Sequence, residues 1–192
     1  MIRIGVLSDT HGLIDQPLLD FFQNCDEIWH AGDLGDICVM DALAEGRVFR
    51  GVAGNIDGWE VRRELPEFLE FTIEEVKVLI THIGSSNGSY HYDLVKRLNE
   101  FKPNLFICGH SHILKIARDP VRKMLHINPG AAGVRGIHQV RTAVRFEINK
   151  DRIENVDLWE REKAVNKQSL DTQGIENTNK IAENPKSFDI GF

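Results

Sequence analysis

The sequence is short of three things, and each shortage narrows the field. Its three cysteines, Cys25, Cys38 and Cys108, are odd in number, widely spaced and contain no Cys-x-x-Cys pair. That argues against a disulfide framework and fits reduced thiols in a cytoplasm. No apolar run approaches the roughly 20 residues that a membrane-spanning helix requires, and Met1 runs straight into an apolar strand with no signal-peptide pattern. Basic residues are scarce as well: 23 Lys and Arg stand against 29 Asp and Glu, a net charge of -6. General nucleic-acid binding lacks the positive surplus that neutralises phosphates, whereas a site that holds cations is compatible with the acidic balance. What is present, 42% hydrophobic and 27% charged residues in a chain of 192, suits one domain with a substantial core.

The order of elements is legible along most of the chain. Ile2, Ile4, Val6 and Leu7 read as a buried strand that stops at Ser8-Asp9-Thr10-His11-Gly12. If the backbone stays extended there, the two-residue spacing puts Asp9 and His11 on one face. Pro17 to Asn24 predicts a helix, with Asp15 as its cap and Pro17 in its first turn. The strand Glu27 to Ala31 then ends at Gly32-Asp33-Leu34-Gly35-Asp36, and a helix covers Ile37 to Ala44. Arg47 to Ala53 reads as a third strand, ending at Gly54-Asn55-Ile56-Asp57-Gly58. This alternation predicts parallel βαβ units, whose ligands bind at the carboxyl ends of the strands.

Beyond it, Phe68 to Ile73 and Val76 to Thr81 predict a hairpin whose second strand ends at His82 and a small-residue loop, 84–89. Tyr90 to Phe101 predicts a helix, and Asn104 to Cys108 a buried strand ending at Gly109-His110-Ser111-His112. Ile113 to Ala117, Met124 to Ile127, Val140 to Ile148 and Arg152 to Trp159 predict antiparallel strands, the last two joined at Asn149-Lys150-Asp151. The domain spans 1–159. A polar tail, 160–192, follows, in which the alternation of Phe188, Ile190 and Phe192 predicts pairing with a sheet edge.

Five strand ends thus carry metal-type donors: Asp9 and His11, Asp33, Asn55, His82, and His110 with His112. Each has a plain structural reading, Asp33 and Asp36 as helix caps, Asn55 as a turn residue and His82 as a core histidine. Their recurrence at every buried strand end is what those readings leave unexplained. Two divalent cations about 3.5–4 Å apart need a bridging carboxylate, for which Asp33 is the natural choice, and further oxygen and imidazole donors. A His and carboxylate set without Cys favours Mn, Fe, Ni or Zn. Of the remaining histidines, His30 ends a strand or supports the site, His91 starts a helix, and His126 and His138 read as structural or exposed. Asp57 reads as a loop-orienting residue. Arg62, Arg63, Arg118, Arg122 and Arg135 are candidate phosphate contacts, with solvated surface as the default.

In this order, Asp9-x-His11, Gly32-Asp33, Gly54-Asn55-x-Asp57, His82 and Gly109-His110-x-His112 resemble the motifs of the calcineurin-like metallophosphoesterases. The short length and Asn128-Pro129-Gly130 resemble their small bacterial and archaeal phosphodiesterase branch. The resemblance covers roughly residues 1–159 and implies a four-layer α/β/β/α sandwich of two mixed β-sheets flanked by helices. It implies a first metal on Asp9, His11, Asp33 and His112 and a second on Asp33, Asn55, His82 and His110, with Asp33, Asn55 and His82 also in the catalytic set. The implied reaction is hydrolysis of small phosphodiesters or cyclic nucleotides by a metal-bridging hydroxide, with two divalent ions, Mn foremost. A phosphomonoesterase or nuclease with the same centre, and a non-catalytic interaction scaffold of the same fold, stay open as alternatives. The partner implied is a small-molecule phosphoester, and a homo-oligomer is also open. Two positions depart from the family pattern. Ile56 stands where larger members carry a leaving-group histidine, and His82-Ile83-Gly84 replaces the usual His-Gly.

Overall fold

A computed structural model describes residues 1–86, 89–163 and 186–188. The elements in chain order are β1 (Ile2–Leu7), α1 (Gln16–Phe22), β2 (Glu27–His30), α2 (Ile37–Ala44), β3 (Val48–Gly51), α3 (Trp59–Glu64), β4 (Phe68–Ile73), β5 (Val76–Thr81), β6 (Ser85–Ser86) and β7 (Ser89–Tyr90). There follow α4 (Tyr92–Phe101), β8 (Leu105–Ile107), β9 (Leu114–Asp119), β10 (Met124–Pro129), β11 (Val140–Asn149), β12 (Arg152–Glu162) and β13 (Lys186–Phe188).

Two mixed sheets form the centre. One runs β13-β12-β11-β1-β2-β3 and the other β4-β5-β8-β10-β9, with β6 and β7 as a separate short ribbon. The period-2 alternation of the strands decides which side chain faces which layer. Ile4 and Val6 of β1 point between the sheets, joining Trp29, Val144 and Phe146 from their own sheet and Val78, Ile80, Ile107 and Ile127 from the other. Leu7 and Ile28 point the opposite way and meet Leu18 and Phe22 of α1 and Val39 and Leu43 of α2. On the far side of the second sheet, Leu79 and Phe106 meet Leu94 and Leu98 of α4. Helix, sheet, sheet, helix is the expected four-layer sandwich. Among the described residues no helix is long and apolar enough to cross a membrane.

The differences from expectation have local causes. Asp15 is the N-cap of α1 but makes no capping hydrogen bond. Its carboxylate instead accepts two bonds from Arg141, at 2.7 and 3.0 Å, a guanidinium only 4% exposed. A bidentate charged pair outweighs a backbone cap, and this Arg141 bond is what holds the Asp15 carboxyl below the usual carboxylate range. Helix α3 was not expected, because six residues with only Val61 buried present no periodicity to read. Strand β10 is antiparallel to β9 as expected, yet parallel to β8 on its other side. Strand β12 runs to Glu162, three residues past the expected domain end. Strand β13 lies antiparallel against it, Phe188 opposite Val156; Ile190 and Phe192, like Asn87, Gly88 and most of the 160–192 tail, lie outside the described residues.

The second outer layer contains a buried polar pair. His126 is 6% exposed, its Nε2 3.2 Å from Cys108 Sγ and its ring 4.8 Å from that of Phe106. Burial lowers the imidazole from 6.5 to about 4 and pushes the thiol up to about 12, so the pair is neutral at pH 7. Between pH 6.5 and 4 the unfolded chain therefore takes up a proton that the folded chain refuses, and stability falls as pH falls. We expect this histidine to remove about 2 kcal/mol between pH 7 and pH 5, and the His126→Leu variant to lose less than the parent over that range, as read by urea denaturation at the two pH values.

Candidate metal centre

All five donor loops lie at carboxyl ends of strands, those after β1, β2 and β3 from one sheet and those after β5 and β8 from the other. The chain does not stay extended there. Asp9, His11, Asp33, His110 and His112 have φ of 55°, 51°, 57°, 69° and 57°, the left-handed region that Asp, Asn and His tolerate better than other non-glycine residues. Asp9 and His11 therefore come together through a turn, not along the face of a strand.

Backbone bonds lock the loops to one another. Asp9 N donates to Gly32 O (3.0 Å), His11 N to Asp33 O (3.1 Å) and Gly12 N to Leu34 O (2.6 Å). Within the second sheet, Gly109 N donates to His82 O (2.9 Å), and across the sheets His110 N donates to Asp9 Oδ2 (3.1 Å). The packing leaves no room at Gly54, where a Cβ would land on the Asp33 backbone nitrogen and Oδ1.

The side chains form two groups of potential metal donors, Asp9 with His11 and His112, and Asp9 with Asp33 and His82. Within each group the donor atoms lie within 4.8 Å of one another. The carboxylate common to both groups is Asp9. His112 Nε2 is 3.2 Å and His82 Nε2 3.9 Å from Asp9 Oδ1. His82 Nε2 is also 3.2 Å from Asp33 Oδ1 and 3.1 Å from Asn55 Oδ1. His110 belongs to neither group; its ring stands edge-on to His82, centroids 5.2 Å apart. Asp9, Asp33 and His82 form the buried floor, whereas Asn55 and His110 stand exposed at the mouth.

Three buried atoms here have no hydrogen-bond partner: Asp9 Oδ1 and both ring nitrogens of His11. Buried polar groups are nearly always satisfied, and these orphans belong to the group that a cation would complete. The protonation preferences of the protein groups agree. Burial lowers the His11 imidazole despite the opposing pull of Asp33 and Asp9. Burial would also lower His82, but its bond to Asp33 and the Asp9 and Asp33 charges raise it above the ordinary histidine value. Burial would raise Asp33, but the His82 bond and charge hold it below the ordinary carboxylate value. The carboxylates that favour a proton on His82 are the same ones that would attract a cation.

The supporting residues are internally satisfied. The Asp57 carboxylate, 4% exposed, accepts from Gly54 N (2.7 Å), Gly35 N (2.7 Å) and Leu34 N (3.2 Å), and so ties the Asp33 loop to the Asn55 loop. Arg62 donates to Gly54 O (2.6 Å) and Asp57 O (2.8 Å), a loop clamp where a phosphate contact had been considered. Arg122 pairs with Asp119, and Arg63 with Glu64. Arg135 is exposed, and its charge reaches His11. His30 is fully buried; Gly32 N donates to its Nδ1 (3.1 Å), so its Nε2 carries the hydrogen that faces Thr10 Oγ1 (3.0 Å). A cleft of about 230 Å³ opens beside Asn55 and His82, lined also by Arg62, Ile83, His91 and Leu94. His138, read from the sequence as structural or exposed, has its Nδ1 3.2 Å from His112 Nδ1. Its position 26 residues further along, in a loop without periodicity, gave no signal.

The family model described as the calcineurin-like phosphoesterase superfamily domain matches residues 2–151. A probable metallophosphoesterase from Methanocaldococcus jannaschii is 34% identical over 143 residues, 68% of either chain. A single mutant of Vps29 from Entamoeba histolytica superposes with a TM-score of 0.67 at 19% identity, covering 83% of this chain and 91% of that one. A structure described as a novel archaeal phosphodiesterase superposes with a TM-score of 0.62 at 21% identity, covering 84% and 100%.

Because a Cβ at position 54 collides with the Asp33 backbone, Gly54→Ala is expected to cost about 1–3 kcal/mol, the usual price of overpacking. The loss should be read by thermal unfolding of the parent and the variant.

Proposed function

The chain belongs to the calcineurin-like phosphoesterase superfamily, and from that premise we propose that it is a binuclear, manganese-preferring phosphodiesterase acting on small diesters or cyclic nucleotides. The observation that carries the reading is the set of orphaned donors, Asp9 Oδ1 and both His11 nitrogens, buried beside His112. The donor set fits first-row divalent ions, with oxygen and imidazole but no thiolate. In this reading Asp9, His11, Asp33 and His112 hold one ion, and Asp33, Asn55, His82 and His110 the other. Asp33 suits the bridging role because its charge acts on His11 while its Oδ1 faces His82. Divalent ions held there would supply Lewis acidity, acidifying water and offsetting charge on phosphoryl oxygens.

The protein's own part is orientation. His82 donates from Nδ1 to Ala31 O (2.8 Å), so its unprotonated Nε2 faces the site when the ring is neutral. Asp57 and the Gly54 backbone fix the Asn55 loop, and the cleft beside Asn55 and His82 offers room for the remainder of a small ester. Ile56, 46% exposed, has no proton to give a departing oxygen. That favours diesters whose leaving group departs unaided or carries its own acid. All three cysteines are free, in keeping with a reducing cytoplasm. The scaffold alternative draws on the Vps29 fold, and metal-dependent turnover is what separates it from the enzymatic reading.

The purified protein should lose hydrolysis of bis-aryl and cyclic diesters on EDTA treatment and regain it with Mn²⁺. Asp33→Asn should lower turnover by about a hundredfold or more. Turnover that survives chelation, or an Asp33→Asn protein as active as the parent, would sink the metal mechanism. Faster release of phosphate from monoesters than from diesters would move the substrate class instead.

A further inference from the structure

We propose that His138 is a positioning residue that sets the tautomer of His112, and so decides which ring nitrogen His112 presents to a cation; the inference rests on the metal-centre reading above. The argument starts at the Gly133 carbonyl, which lies 3.1 Å from His138 Nε2. A carbonyl oxygen only accepts, so His138 Nε2 carries the hydrogen. A neutral His138 then has its lone pair on Nδ1, and that atom faces His112 Nδ1 at 3.2 Å. Two lone pairs cannot face each other at that distance, so His112 Nδ1 carries a hydrogen and donates it. His112 Nε2 is left with a lone pair, and it is the atom 3.2 Å from Asp9 Oδ1. Two acceptors that close repel unless a positive charge lies between them. The chain of assignments thus accounts for Asp9 Oδ1, which is buried without a donor.

His82 obtains the same result more directly, with the Ala31 carbonyl at its Nδ1. His112 obtains it through an intervening imidazole. The backbone closes over this pair at Gly136, where φ is +103° and a Cβ would land on His112 Nδ1 and lie 3.2 Å from His138 Nδ1. Lys163 Nζ donates to the Gly136 carbonyl at 2.9 Å and holds that loop in place. Partners at the far nitrogen of a metal-binding histidine fix its tautomer and orientation, and their loss typically costs about 10–100-fold in metal affinity.

The test has two arms. Long-range ¹H–¹⁵N correlation on the metal-free protein, with His112 assigned by comparison with His112→Ala, should show His112 protonated at Nδ1 and bare at Nε2. His138→Phe, which fills the volume but cannot accept, should shift His112 toward the Nε2–H tautomer and weaken Mn²⁺ binding about 10–100-fold by calorimetry. His138→Gln, which can accept from His112 and donate to Gly133, should stay within a few-fold of the parent. A wild-type His112 found as the Nε2–H tautomer overturns the proposal with no variant needed. So does a Gln variant weakened as much as the Phe variant, because a merely space-filling role would produce that pattern. If the parent bound no Mn²⁺ at all, the metal-centre reading would fall, while the tautomer measurement would still decide the role of His138.

Discussion

Burying carboxylates without basic side chains beside them is the constraint on which the rest of this molecule depends. Asp9 and Asp33 are 0% and 3% exposed, and the side-chain nitrogens facing them belong to the imidazoles of His82 and His112, with no Lys or Arg in ion-pair contact among the described residues. An isolated buried carboxylate costs several kcal/mol in a folded protein, so something must compensate it. Asp57 shows what full compensation by the protein looks like: three backbone N–H groups converge on it and leave it nothing to recruit. Asp9 differs, since one oxygen takes the His110 N–H and the other is left bare. Two acids, similarly buried within one set of loops, thus have opposite roles. One completes the scaffold, and the other needs a ligand from outside.

The two-sheet architecture is what lets donors so far apart in sequence meet. Parallel strands deliver their carboxyl ends to one edge, and packing two such sheets face to face brings the loops after β1, β2 and β3 against those after β5 and β8. The backbone bond from Gly109 to His82 then seals the two loops of the second sheet, and the His110 bond to Asp9 crosses to the first. The site is a seam between layers, and its geometry is set by core packing more than by any one loop.

Much of this was legible in the sequence wherever function and local pattern coincide. The hairpin β4 and β5 and the helix α2 fall within their expected bounds, because alternation in one case and the Asp36 cap in the other are local signals. The seven candidate donors stood out because each lies in a loop that follows the end of a strand. What could not be read depends on distant partners. Arg141 captures Asp15 from 126 residues away, and β10 pairs with β8 in a direction that no local signal reveals. The sharing of Asp9 between two donor groups is a matter of side-chain geometry. His138 reaches His112 through a glycine-rich loop whose composition says only that it turns.

Five of the seven candidate donors sit on left-handed backbone, and this bears on how such a protein changes over evolutionary time. The conformation is imposed by the interlocked loops and persists whatever side chain is attached, while an Asp or His there carries strain of about 1 kcal/mol or more that glycine would not. Replacing a donor by glycine relaxes the chain in the same step that removes the chemistry. The fold therefore does not defend its own centre, and only selection on what the centre does can keep those residues in place. A lineage released from that selection can lose its donors one by one and keep the sandwich intact for another use.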